Sequence, residues 1–220
     1  DTPALQVVLP VRSAMHVTVL GDQSYPSWVF AGAGSAFTIA VHAHLSLGYI
    51  TLHTDSAGSA KDSDATIAIE LGGEVSIDHS QLVGTSFAVQ GTLSLSFTQG
   101  TDIDLQTEPR ASLRMDTAEL LGSADPLTLP ISCEATILNS QLNNVVLRIA
   151  STGDVVISGT TFRSAGVVVT VMDGGRFTVA TSQLVSDDAT SPFPCDGQDM
   201  SCGSAHSGPV TVNGPAAVDT

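Results

Sequence analysis

A chain of 220 residues with 42% hydrophobic and only 13% charged residues has ample apolar content for a folded core, which excludes intrinsic disorder. Its 22 acidic and 7 basic residues leave a net charge of −15, so it repels a phosphate backbone or an anionic lipid surface, and neither nucleic acid nor such a surface is an expected partner. No apolar run approaches the roughly 18 residues needed to span a bilayer, so no membrane insertion by this segment is expected.

The first residue is Asp1, with no charged-then-apolar leader, and this predicts a processed chain or a piece of a longer one. Residues 1–30 hold two strand-like runs, Leu5-Gln6-Val7-Val8-Leu9 and His16-Val17-Thr18-Val19-Leu20, and read as irregular first coils. From there a repeat takes over. Five segments superpose without gaps, residues 74–82, 112–120, 134–142, 154–162 and 176–184, with a weaker copy starting at Leu93. Each has two apolar residues separated by a polar one, then turn-like residues, a small residue, and Leu or Phe. The period is about 20 residues, and strand-like runs at 65–69, 86–89, 145–149 and 167–171 precede several copies.

Period-two alternation over four or five residues bounded by Gly, Asp, Asn and Ser predicts half-buried strands rather than helices. Strands this short bury their apolar sides only when each coil stacks on the last, about 4.8 Å away. Stacking predicts one inward column of Val75, Leu93, Leu113, Ala135, Val155 and Phe177, and a second of Ile77, Leu95, Met115, Ile137, Ile157 and Val179. Gly72-Gly73, Gly153 and Gly174-Gly175 are expected to supply positive φ at the corners. Ser56 to Asp64 and Gln99 to Arg110 interrupt the period and read as exposed loops.

The solenoid is expected to occupy residues 1–187, followed by a Cys-containing loop and C-terminal extension at 188–220 that leads to further coils, with Pro209-Val210-Thr211-Val212-Asn213 as an extra strand. No amphipathic capping helix is visible at either end, which favours a module of a longer protein. Cys195 and Cys202 lie in a Pro/Gly/Asp/Ser-rich stretch where a local disulfide would pin a loop of little apolar content. Cys133 alternates in phase with Leu129, Ile131, Ala135 and Ile137 and is expected in the core as a free thiol.

These units resemble the repeats of the pectin-lyase-like superfamily. The run from Ala36-Phe37-Thr38-Ile39 through Leu45-Ser46-Leu47 to Ile50-Thr51-Leu52-His53-Thr54-Asp55 is similar to polymorphic-membrane-protein and adhesin-like surface solenoids. The likeness covers roughly residues 30–187 and is one of pattern. It implies an all-β, right-handed parallel β-helix of about eight coils and an extracellular or cell-surface location.

Register alone places Glu134, Asp154 and Arg176 at one outward position in successive coils. Stacked carboxylates there would share a cation such as Ca2+ or raise one pKa, and the resemblance implies acidic groups, calcium and arginine in polysaccharide lyases; the simpler reading is an exposed charge ladder. Asp187-Asp188 is similar to the paired aspartates of pectin hydrolases, but the companion motifs of that family are missing. His42 and His44 would share a strand face with His53 on the next run, a set that zinc or copper would accept, against the simpler reading of surface histidines. Ser76, Ser94, Thr136 and Thr178 form a partial hydroxyl ladder, interrupted by Arg114 and Val156, that an ice or glycan surface would use, although β-propensity explains the threonines more simply.

Sugar-stacking aromatics are few, with Trp28, Tyr25 and Tyr49, and seven basic residues are thin for gripping acidic polysaccharides. No nucleophile elbow, phosphate loop or dinucleotide fingerprint occurs, and no cofactor is expected. The function expected is therefore a non-catalytic extracellular structural or adhesion module of a larger surface or fibre protein. Its partners would be other modules or chains packed end to end or laterally, and glycans. The alternatives are a polysaccharide lyase or hydrolase, and an ice- or glycan-binding solenoid.

Overall fold

The computed structural model describes residues 9–11, 15–21, 28–30, 37–54, 67–163, 167–172, 174–180, 182–185 and 200–203, and no helix occurs among them. Short strands wind into stacked coils, each coil contributing a strand to every face, so that a strand pairs in parallel with its counterpart one coil away. The chain is a parallel β-solenoid. Its second face is an eight-stranded sheet running from His16–Leu20 through His44–Gly48, Glu74–Asp78, Thr92–Ser96, Ser112–Asp116, Glu134–Leu138 and Asp154–Ser158 to Arg176–Ala180. The third face, also eight-stranded, runs from Trp28–Phe30 through Thr51–Thr54, Gln81–Val83, Gln99–Thr101, Glu119–Leu121, Gln141–Asn143 and Thr161–Arg163 to Gln183–Val185.

Both predicted columns are present in register. Val75 pairs with Leu93, Leu93 with Leu113, and so on through Ala135 and Val155 to Phe177. Leu45 and Leu47 extend the columns one coil further, and Val17 and Val19 another. The columns are buried from Leu45 and Leu47 onward because period-two alternation sends every second side chain to the same side of the pleat. His16–Leu20 and Trp28–Phe30, read from sequence as irregular coils, pair in register with the following coil.

Gln99 to Arg110 is not a loop. It contains the strands Gln99–Thr101 and Asp104–Thr107, with Ile103 and Leu105 buried. Gly100 hides this from a hydrophobicity reading, because it holds the inward position that Leu82 and Leu120 hold in adjacent coils. A Cβ there would lie 2.7 Å from Leu120 Cδ2 and 3.2 Å from Ile103 Cγ2, so neighbouring side chains already fill the space. The corner glycines also divide. Gly72 and Gly174 have φ of 81° and 91°, as expected, whereas Gly153 is needed because a Cβ would meet Ile131 O at 2.6 Å.

The first face is split into two sheets. Leu9–Val11, Phe37–Ile39, Ile67–Ile69, Ser86–Val89 and Asp104–Thr107 form one, and Leu127–Ile131, Val145–Ile149, Val167–Val171 and an antiparallel Met200–Gly203 form the other. At the seam, Pro130 has no N–H to donate. Thr107 substitutes with its side chain, donating Oγ1–H to Pro130 O (3.2 Å) and accepting from Ser132 N–H (2.8 Å). Ser56 to Asp64, Asp187-Asp188 and residues 209–213 lie outside the described residues.

Candidate functional site

Between the second and third faces, six successive coils turn a corner on one residue in the left-handed region. Tyr49, His79, Phe97, Thr117 and Asn139 have φ between 46° and 55°, and Gly159 has 62°. Every N–H of the first five donates to a carbonyl of the next coil, from Tyr49 to Asp78 O (3.1 Å) through to Asn139 to Ser158 O (2.9 Å). This conformation sends the corner side chains outward in a single file. The Tyr49 and His79 rings stack at 5.1 Å and the His79 and Phe97 rings at 4.7 Å, while His79 Nδ1 lies 2.8 Å from Asp78 Oδ2.

The residue after each corner points inward and is commonly a hydroxyl: Ser80, Thr98, Ser140, Thr160 and Ser182 are all buried. Ser140 donates to Leu138 O (2.6 Å) and accepts from Ala118 N–H (3.1 Å), joining its own turn to the coil before. Ser80 acts likewise, donating to Asp78 O (2.7 Å) and accepting from Ile50 N–H (3.2 Å). In the sequence this position is marked only by small residues. Its signal was a Ser or Thr recurring at one register in several aligned copies.

Glu134, Asp154 and Arg176 are adjacent in register. Arg176 Nη1 lies 3.4 Å from Asp154 Oδ2, and both side chains are largely exposed, so the pair contributes at most about 1 kcal/mol. The histidine set is not brought together. His42 sits in a corner with φ 60°, His44 stacks on His16 at 5.5 Å and places Nδ1 3.3 Å from Glu74 Oε2, and His53 is on the third face. The reason is local: the left-handed turn at His42 ends the strand alternation assumed to align it with His44. Among the described residues no three His, Cys, Asp or Glu side chains are placed to hold a metal ion.

Cys133 is buried and free, as its phase predicted, and burial pushes its thiol pKa up. Cys195 lies outside the described residues, as does the side chain of Cys202, whose backbone is part of Met200–Gly203.

A shallow groove of about 510 Å3 follows the seam of the first face, lined by Gln90, Asp104, Gln106, Glu108, Thr128 and Arg148. It joins two carboxylates and one guanidinium on a concave surface. Position in sequence did not expose this grouping, because Arg148 is brought to the groove by a sheet that begins only after the seam.

Fold and register thus define a parallel β-solenoid with three outward surfaces: the charge ladder, the corner file and the seam groove. Comparison with family models, curated proteins and solved structures finds no match to the chain.

Proposed function

We propose that this chain is a non-catalytic structural or adhesion module of an extracellular surface or fibre protein. The observation that carries the reading is that outward polar side chains are engaged with one another along the solenoid axis. Gln81 Nε2 donates to Gln99 Oε1 (3.1 Å), Gln99 Nε2 donates to Glu119 Oε2 (3.3 Å), Asp154 faces Arg176, and His44 faces Glu74. Such ladders stiffen a rod and present a repeating surface, whereas catalysis uses groups converging on one reacting atom. The resemblance to the pectin-lyase-like superfamily and to adhesin-like solenoids supports the same reading and its extracellular location, with other modules, chains or glycans as partners.

The test is to measure self-association by sedimentation velocity and retention on immobilised polysaccharides and surface proteins, for the unmodified chain and for the double substitution Glu134→Ala with Asp154→Ala. Folding, association and retention are expected to survive the double substitution. Cleavage of a polyuronate by the unmodified chain, lost in the double variant, would overturn the reading.

The seam groove favours a second reading, a polysaccharide lyase or hydrolase, because Asp104, Glu108 and Arg148 place acids and a cation on one concave surface. On that reading Arg148→Ala abolishes release of unsaturated or reducing-end products from an acidic glycan. Undetectable product from the unmodified chain across acidic and neutral polysaccharides removes it.

A further inference from the structure

The corner file borders a groove distinct from the seam, and part of the glutamine ladder forms its far side. Tyr49, His79 and Phe97 form one wall, Gln81 and Gln99 the other, with Ser80 at its floor, and the open volume is about 530 Å3. The groove runs along the solenoid axis because its walls are columns of residues from successive coils. Three features of it bear on what it would hold.

Charge is the first. In a chain with a net charge of −15, the lining contains no carboxylate, lysine or arginine. The neighbouring acids Asp78 and Glu119 are hydrogen-bonded to His79 and Gln99. An anionic ligand would meet a repulsive field with no cation to hold it, and a cationic one would find no carboxylate in the lining to pair with, so the ligand is uncharged.

The second is the chemistry of the walls. Beyond its ladder bonds each glutamine amide keeps a second N–H and spare acceptor capacity, which suits hydroxyl groups that both donate and accept. The rings stack face to face along the axis, so they present edges and the Tyr49 hydroxyl to a ligand; ring edges carry partial positive charge that meets oxygen lone pairs. Phe97 is 54% exposed, a large aromatic surface left facing solvent.

Backbone pairing is the third. The corner amides of Tyr49, His79 and Phe97 already donate to the next coil, so an extended peptide finds no open strand edge to join. Recognition must come from side chains alone. Coils spaced about 4.8 Å apart repeat these side chains at close to the length of one pyranose in an extended β-linked chain.

We infer that the groove between Tyr49–His79–Phe97 and Gln81–Gln99 binds an uncharged, extended polysaccharide, one sugar residue to each coil. This deepens the adhesive reading and rests on it.

The register also supplies the test. Asn139 occupies the corner position with φ 48°, so Phe97→Asn removes the ring with a residue the corner accepts. Titration calorimetry of the full chain would use cellohexaose, chitohexaose and an oligogalacturonate of equal length. Binding of a neutral hexasaccharide is expected, weakened at least tenfold by Phe97→Asn and several-fold by Gln99→Ala. Leu71→Ser, at an exposed position on a different corner, should leave it unchanged. Circular dichroism and thermal melts establish that each variant is folded.

Absence of binding by both neutral hexasaccharides at millimolar concentration overturns the inference. So does tighter binding of the oligogalacturonate, or neutral binding that survives Phe97→Asn combined with Gln99→Ala but is lost in Arg148→Ala. A chain that binds neither neutral sugar yet self-associates or is retained on a surface protein loses this groove and keeps its adhesive role, so the two failures are separable.

Discussion

Cys133 illustrates how much one inward position dictates. Its neighbours exclude water, so the thiolate is disfavoured and the thiol pKa rises. Native protein at pH 8 should react with a thiol reagent orders of magnitude more slowly than urea-unfolded protein, a difference read directly from the kinetics of a chromogenic disulfide. The linkage has a definite sign. The unfolded thiol ionises from about pH 8.5 upward while the native thiol stays protonated, so the unfolded state binds fewer protons and stability falls as pH rises through that range. Replacing Cys133 with Ala should remove this part of the alkaline loss. The corner residues differ in kind, since there backbone strain decides. Thr117 is β-branched at φ 55°, where such residues are strongly disfavoured, and Thr117→Asn should stabilise the fold by about 1 kcal/mol. At the equivalent Gly159, φ is 62° and a Cβ would lie 2.7 Å from Asn139 Oδ1. Gly159→Ala should therefore destabilise by about 1–2 kcal/mol, and urea midpoints measure both changes.

At the scale of the element, the turn between the second and third faces depends on hydroxyls that tie one coil to the next. Removing the Ser140 hydroxyl leaves Ala118 N–H buried without its acceptor. Ser140→Ala should cost about 1–3 kcal/mol, and hydrogen exchange at the Ala118 amide should quicken, which a general loss of packing would not single out. The strands were legible from period-two alternation wherever an apolar residue marked the inward position. They were illegible at Gln99–Thr101, where Gly100 sits inward because Leu120 and Ile103 fill its space. The division of the first face was also hidden. Pro130, which has no N–H to donate, lies at the division, and the Thr107 hydroxyl that bridges the gap is distant in sequence.

For the molecule as a whole, a net charge of −15 on an elongated stack of coils is self-repulsive, and salt screens that repulsion. Raising sodium chloride from 10 to 300 mM should therefore raise the melting temperature, as followed by circular dichroism. The few exposed ion pairs, such as Asp154–Arg176, act in the opposite direction but are worth too little to reverse the trend. A melting temperature that fell with salt would mean that specific ion pairs, not net charge, dominate the electrostatics.

The amino-acid sequence by itself determined the stacked-coil architecture, both inward columns of the second face and the burial of Cys133, because side-chain alternation is a local property and a gapless repeat forces identical positions into one column. On the outside, the stacking of Glu134, Asp154 and Arg176 within the repeated strands was legible in the sequence, and tertiary structure decided which residues meet at the corners and the seam. The separation of His44 from His42 and His53 follows from a left-handed corner, the meeting of Arg148 with Asp104 and Glu108 from the seam, and the file of Tyr49, His79 and Phe97 from a turn conformation shared by residues of unlike chemistry. Outward residues answer to no packing constraint that repeats along the chain. Which of them meet is set by where each coil turns, and that depends on backbone contacts between coils rather than on residue type.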